Sequence, residues 1–269
     1  MMNVLYCGSK NMFDGVMTSV LSILKRSEYE GAYNFYIYTM DLSDINPEFT
    51  PITDDAVEFL NDIAIGFHYK NRVIKVDLTE LYKKEFGAYQ SNEPYSLLKL
   101  LIDKVPNMPE KLLSLDIDVL FNKDIRLLYD IDVTDYEYAA SKEHMSFKIN
   151  TGVLLFNLNK INETKMLEKI RSLLTNNKGN LDIESALYKS TLSNKILSHR
   201  FNEQKNMNKN TVIRHFSKKL FWLPYPHTEN IKQWDIINMY KKYGYHQFDD
   251  ILEEYVTLKD IYGVQQSCH

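Results

Sequence analysis

The chain has 269 residues, of which 44% are hydrophobic and 25% charged, with a formal net charge of −4. This is globular composition, sufficient for one large domain or two small ones. It lacks the basic excess of a general nucleic-acid binder, and no run reaches the roughly eighteen uninterrupted apolar residues of a membrane span.

In chain order, Asn3 to Cys7 predicts a short buried strand, and Gly8, Ser9 and Asn11 a turn after it. Val16, Met17, Val20, Leu21 and Leu24 then fall at helical spacing. Tyr33 to Met40 predicts a second strand. Thr53 or Asp54 can cap a helix carrying Val57, Leu60 and Ile63, and Val73 to Leu78 is a third strand. Leu97, Leu98, Leu101 and Ile102 mark a helix stopped by Pro106 and Pro109. The apolar run Leu112–Phe121 follows, then strands over Tyr136–Ser141 and Asn150–Leu158. Amphipathic helices are expected around Met166–Leu174 and over Leu181–Ser190, the second capped by Asp182. An aromatic-rich, helical tail closes the chain.

Strands alternating with helices predict an α/β fold with a largely parallel sheet, whose ligands sit at the carboxyl ends of the strands. Without repeats or linkers, one domain with a C-terminal extension is the simplest organisation. Cys7 in the first strand and Cys268 beside the C-terminus are not expected to pair. MMNVLYCGSKN carries no charged segment ahead of its apolar run, as a secretory signal would. A cytoplasmic protein is therefore expected.

The segment LLSLDIDVLF holds two carboxylates, Asp116 and Asp118, at the end of an apolar run. On a strand, residues two apart face the same side, so both would converge while Ile117 faces the other layer. Paired carboxylates repel unless a proton or cation lies between them, and oxygen donors suit Mg²⁺ or Mn²⁺ with room left for substrate phosphates. The plainer alternative is a solvated strand end in which each Asp caps a turn. Two metal-dependent classes place D-x-D at a strand end: haloacid-dehalogenase-like phosphotransferases and nucleotide-sugar glycosyltransferases. Leu120 four residues after Asp116, and several elements ahead of the pair, count against the first.

Taken in order, NVLYCGSKNMF, PYSLLKLLIDKV, LLSLDIDVLFNKDI, INTGVLLFNL, LDIESAL and RHFSKKLFW resemble the successive motifs of family 8 of the retaining glycosyltransferases, over roughly residues 2 to 222. The resemblance implies a Rossmann-like, GT-A type nucleotide-sugar domain over 1–222 and a mostly helical extension over 223–269. It implies that Asp116, Asp118 and His215 bind Mn²⁺ or Mg²⁺, and that Gly8, Ser9 and Asn11 contact the nucleotide of a UDP-sugar. Lys99 would face the donor diphosphate, together with Lys218 or Lys219. Asn150 and Asp182 would contact the donor sugar, with Asp182 and Lys99 at the reaction centre. Ile117 would line the cofactor site, and Gly152 would allow close backbone approach.

The implied reaction transfers a hexose, glucose or galactose, to a glycan, glycolipid or glycoprotein acceptor. The tail NMYKKYGYHQF is compatible with a partner subunit or with peripheral contact at the inner face of the membrane. The sequence departs from the family pattern at Ser9 and Lys10, at Ile183 where a Gln is usual, and at Leu220 and Phe221 where Lys-Pro precedes Trp222. Those departures keep a non-catalytic binding subunit open as an alternative, with a metal-dependent phosphotransferase behind it.

Overall fold

A computed structural model describes residues 1–87, 91, 93–144, 148–177, 181–221 and 223–267, with side chains described as far as 264. Trp222 and Cys268 lie outside the described residues. The elements run β1 (Met2–Cys7), α1 (Phe13–Arg26), β2 (Tyr33–Thr39), α2 (Asp54–Phe67), β3 (Arg72–Asp77), α3 (Thr79–Phe86), a 3-10 helix (Pro94–Lys104), β4 (Lys111–Leu115), β5 (Val119–Phe121), α4 (Arg126–Tyr129), β6 (Tyr138–Lys142) and β7 (Ile149–Asn157). They continue α5 (Leu158–Thr164), α6 (Met166–Asn176), α7 (Ile183–Ser190), β8 (Asn194–Leu197), β9 (Ile213–His215), β10 (Lys219–Phe221), β11 (His227–Glu229), α8 (Ile236–Tyr243) and α9 (Asp249–Ser267).

The main sheet has seven strands in the order β3-β2-β1-β4-β7-β6-β8. Neighbours pair in parallel except where β7 meets β4 and β6, so β7 alone runs against the rest. Both faces are covered, as a parallel sheet requires. Side chains alternate between two cores: Val4, Tyr6, Leu113 and Leu115 join α1 and α2, whereas Leu5, Leu112 and Leu154 join the 3-10 helix and α6. Residues of the extension, including Met239, Phe248, Ile251, Leu252 and Tyr255, belong to the first of these cores. Arg26–Asp250 and Lys259–Asp14 ion pairs tie the same segment to α1.

Two expectations are corrected. First, Pro94–Lys104 winds as a 3-10 helix, not an α-helix, and its run of residues is long for that form. Residues 97 to 102 are all buried, so no solvent face is kept. The Leu100 carbonyl is satisfied from outside by Arg171 Nη1 at 2.5 Å. Arg171 also grips Asp103 through Nη1 at 2.6 Å and Nη2 at 2.9 Å, and its Nε lies 3.1 Å from Glu85. Arg171→Leu strands that carboxylate and carbonyl, and should destabilise the fold by about 3 kcal/mol in urea unfolding. A midpoint unchanged from the parent would show that the 3-10 run holds without the guanidinium.

Second, Asp116 and Asp118 are not on one strand. β4 stops at Leu115, Asp116 to Asp118 make a turn, and β5 leaves the main sheet to pair antiparallel with β9. The two carboxylates converge through that turn, not through strand alternation.

Candidate active site

β1 and β4 lie side by side, with Tyr6 opposite Leu115. The loop Gly8–Asn11 and the Asp116–Asp118 turn therefore leave neighbouring strands at the same, carboxyl edge of the sheet. The turn is pinned by Asp116 N–H donating to the Gly152 carbonyl on β7 at 2.8 Å, and by the Asp118 carbonyl accepting from Phe216 N–H at 2.7 Å. Pairing of β5 with β9 sets Val119 opposite His215, which carries the imidazole to the carboxylates.

His215 Nε2 stands 3.1 Å from Asp118 Oδ1 and 3.9 Å from Asp116 Oδ2, and one donor atom from each residue lies within 4.8 Å of the others. Asn202 accepts from His215 Nδ1 at 2.9 Å through Oδ1 while its Nδ2 donates to Asn150 Oδ1 at 2.6 Å. This bond turns Nε2 toward the carboxylates, the usual way an outer residue orients a ligating histidine. Arg214 is fully buried and donates through Nη1 to the carbonyls of Glu203 at 2.6 Å and His215 at 2.8 Å. Its guanidinium lies 4.9 Å from the Phe216 ring centroid and 5.2 Å from that of Tyr243, which ties β9 to the end of α8.

Gly152 explains how the three groups come so close. A Cβ there would overlap His215 Cε1 and sit 2.9 Å from both Asp116 Oδ2 and His215 Nδ1. Two hard carboxylate oxygens and one borderline nitrogen make a donor set that fits a divalent ion.

Each carboxylate also has a lysine. Lys99 Nζ donates to Asp116 Oδ1 at 2.7 Å and to the Thr151 carbonyl at 3.0 Å. Burial opposes its charge, but Asp116 and, more weakly, Glu184 outweigh this and raise its pKa. Lys232 Nζ donates to Asp118 Oδ2 and, at 3.1 Å, to the Phe216 carbonyl. Burial likewise works against the Asp118 carboxylate, yet His215 and Lys232 hold its pKa well below the usual carboxylate range.

The remaining sequence-derived residues fall into place unevenly. Ser9 is buried and bridges to Pro51, Gly8 accepts from Thr39 Oγ1 at 2.8 Å, and exposed Asn11 donates to Glu48 at 2.5 Å. Ile117 packs against the first core. Asn150 is buried, donates to Glu143 and receives Gly152 N–H at 2.9 Å, so its side chain braces the site from within. Asp182 is exposed, caps α7 through Ser185 N–H at 2.6 Å and pairs with Lys148 at 2.8 Å. Lys218 is exposed. Lys219 donates to the Lys205 carbonyl at 3.3 Å, and burial with the neighbouring Arg214 pushes its pKa down to about 8.

Three residues escaped the sequence reading. Asn202 had no motif around it, whereas Lys232 stands in Lys232-Gln233-Trp234, which has the Lys-x-Trp spacing that is missing at residues 220–222. Glu184, which accepts from Thr151 Oγ1 at 3.0 Å, sits at the second acidic place of LDIESAL and could have been noticed there.

The family model described as glycosyl transferase family 8 matches residues 3–221. A Haemophilus influenzae protein provisionally named a glycosyltransferase is 25% identical over 188 residues, 62% of this chain. The match spans 52% of that protein, so this chain covers about half the length of its curated relative. Among solved structures, the galactosyltransferase LgtC, in complex with donor and acceptor sugar analogues, aligns with a TM-score of 0.66 at 15% identity, covering 96% of this chain and 95% of LgtC. The glycosyltransferase GlyE of Streptococcus pneumoniae TIGR4 aligns at 0.63 with 16% identity, over 95% of this chain and 63% of GlyE. The bifunctional glycosyltransferase WbbM aligns at 0.68 with 11% identity, over 96% and 51%. At such identities these likenesses show the fold, the GT-A type expected from the sequence. Among the described residues no helix is long and apolar enough to cross a membrane. With the family model matching well over half of its length, the chain belongs to glycosyl transferase family 8.

Proposed function

We propose that this chain is a metal-dependent, retaining glycosyltransferase that moves a hexose, glucose or galactose, from a UDP-sugar to a hydroxyl of a glycan, glycolipid or glycoprotein. The observation that carries this reading is the convergence of Asp116, Asp118 and His215 beside the Gly8–Asn11 loop. A divalent ion held by those three would supply positive charge against the leaving diphosphate. The chain's own part is to place further fixed charge there. Lys99 is buried and kept protonated by Asp116, so its ammonium needs little reorganisation as negative charge grows on the leaving group.

The bond from the anomeric carbon to the diphosphate oxygen breaks, a bond to the acceptor oxygen forms, and the acceptor's proton passes to the departing phosphate oxygen. This front-face path asks for no side-chain nucleophile. It suits a site in which Ile183 replaces a polar residue and Asp182 is committed to Lys148 and the start of α7.

The test is UDP release from a panel of UDP-sugars in Mn²⁺ and in EDTA. Release from UDP-glucose or UDP-galactose that EDTA abolishes is the expected result. UDP binding with no turnover of any donor would favour a non-catalytic subunit, and phosphate release from phosphomonoesters a phosphotransferase.

A further inference from the structure

The connection from β6 to β7 lies at the edge of the sheet that carries the site, because β7 runs against its neighbours. Its first two residues, Glu143 and His144, reach two other consecutive residues, Asn202 and Glu203. Glu143 accepts from Asn150 Nδ2, and Asn150 Oδ1 accepts from Asn202 Nδ2 at 2.6 Å. His144 Nε2 lies 3.0 Å from Glu203 Oε1.

Asn202 and Glu203 in turn both hold His215. Asn202 Oδ1 accepts from its Nδ1 at 2.9 Å, and the Glu203 carbonyl accepts from its backbone N–H, also at 2.9 Å. The connection closes on itself through Glu143 N–H and the Lys148 carbonyl at 2.9 Å, and Lys148 Nζ pairs with Asp182 at 2.8 Å. It therefore reaches from behind the histidine of the ion site to the start of α7.

His144 suits this place chemically. The Glu203 side chain is only 8% exposed, so its carboxylate depends on donors from the protein. Lys205 N–H supplies one to Oε1 at 2.8 Å and His144 the other. A carboxylate only accepts, so His144 Nε2 carries the proton. The ring also lies face to face with that of His199, with centroids 4.1 Å apart and planes 15° from parallel. The stack fixes the plane of the imidazole, and the carboxylate fixes which edge points inward.

We propose that His144 is a positioning residue of the ion site. Acting through Glu203, it fixes the segment that aims His215 and registers that histidine to the β6–β7 connection. This inference rests on the reading of Asp116, Asp118 and His215 as an ion site.

Three substitutions separate the hydrogen bond from the stack. His144→Gln can still bring an N–H to Glu203, His144→Phe keeps a ring against His199 without a donor, and His144→Asn is too short to reach. Loss of the free-ion EPR signal measures Mn²⁺ affinity for the full chain. Nitrogen modulation of the bound ion, by pulsed EPR, reports whether the imidazole is in place. His144→Phe and His144→Asn should each bind Mn²⁺ about tenfold more weakly, as loss of an outer partner does, and lose most of the nitrogen modulation. His144→Gln should match the parent in both.

Parent-like Mn²⁺ affinity in His144→Phe and His144→Asn would overturn the proposal. Weaker binding with the nitrogen modulation intact would overturn it too, because the ring would not have moved. So would His144→Gln binding as weakly as the other two, which would make packing the cause. Failure of the parent chain to bind Mn²⁺ would instead sink the reading of the ion site from which the inference starts.

Discussion

Asp118→Asn is expected to abolish Mn²⁺-stimulated release of UDP from the donor, by about a hundredfold or more, corresponding to about 3 kcal/mol of transition-state stabilisation. The neutral amide cannot replace a carboxylate that is 7% exposed and faces His215 at 3.1 Å on one side and Lys232 on the other. The fold should survive, because the Asp118 carbonyl still receives Phe216 N–H and the β5–β9 pairing does not use the side chain. Circular dichroism checks the fold and a UDP-release assay the turnover. Parent-like turnover would remove Asp118 from the ion site. The variant should also change the acid limb of stability. The depressed Asp118 pKa means that its contribution is fully present above about pH 4 and is lost as pH falls further toward the folded-state value. Acid unfolding of the variant should lack that component.

Gly152→Ala should be nearly as damaging, although it removes no functional group. The added methyl would overlap His215 Cε1 and crowd Asp116 Oδ2 and His215 Nδ1 at 2.9 Å. His215 has nowhere to retreat: it is buried, held by Asn202 at Nδ1, and fixed in β9 opposite Val119. Either the ring or the Asp116 carboxylate must leave its place, and Mn²⁺ affinity should fall about 10- to 100-fold. Overpacking should cost about 1–3 kcal/mol of stability besides. Gly66→Ala serves as the control. It lies in the last turns of α2 with nothing within 4 Å of the added methyl, and should leave Mn²⁺ affinity alone and stability equal or slightly higher. Equal Mn²⁺ affinities for the two variants would remove Gly152 from the construction of the site.

The residues that the sequence placed well are those whose signal is local. Strands β1 to β3, the Thr53 cap of α2 and the Asp182 cap of α7 depend on neighbouring residues in the chain, and each was readable from spacing or cap chemistry. The carboxylates were readable as a pair, but the reason given for their convergence was a strand that ends one residue before them. An apolar run of constant character hid the exit from the main sheet, because Val119–Phe121 is as buried as Leu112–Leu115 and only its hydrogen-bonding partner differs. Lys232 shows the limit most plainly. Its contact with Asp118 spans 114 positions of chain, a pairing that no local pattern around either residue reports. Asn202 is similar: its amide bridges Asn150 and His215, neither of which is near it in sequence.

The pairing of β5 with β9 also bears on when the three side chains of the cluster come together during synthesis. The last strand of the seven-stranded sheet ends at Leu197, and both carboxylates have emerged long before that. The imidazole waits for residue 215 and the second ammonium for residue 232. Chains fold from the N-terminal side as they leave the ribosome. A nascent chain can therefore carry every strand of its main sheet and both carboxylates while the imidazole, and the extension residues that complete the first core, are still to be made.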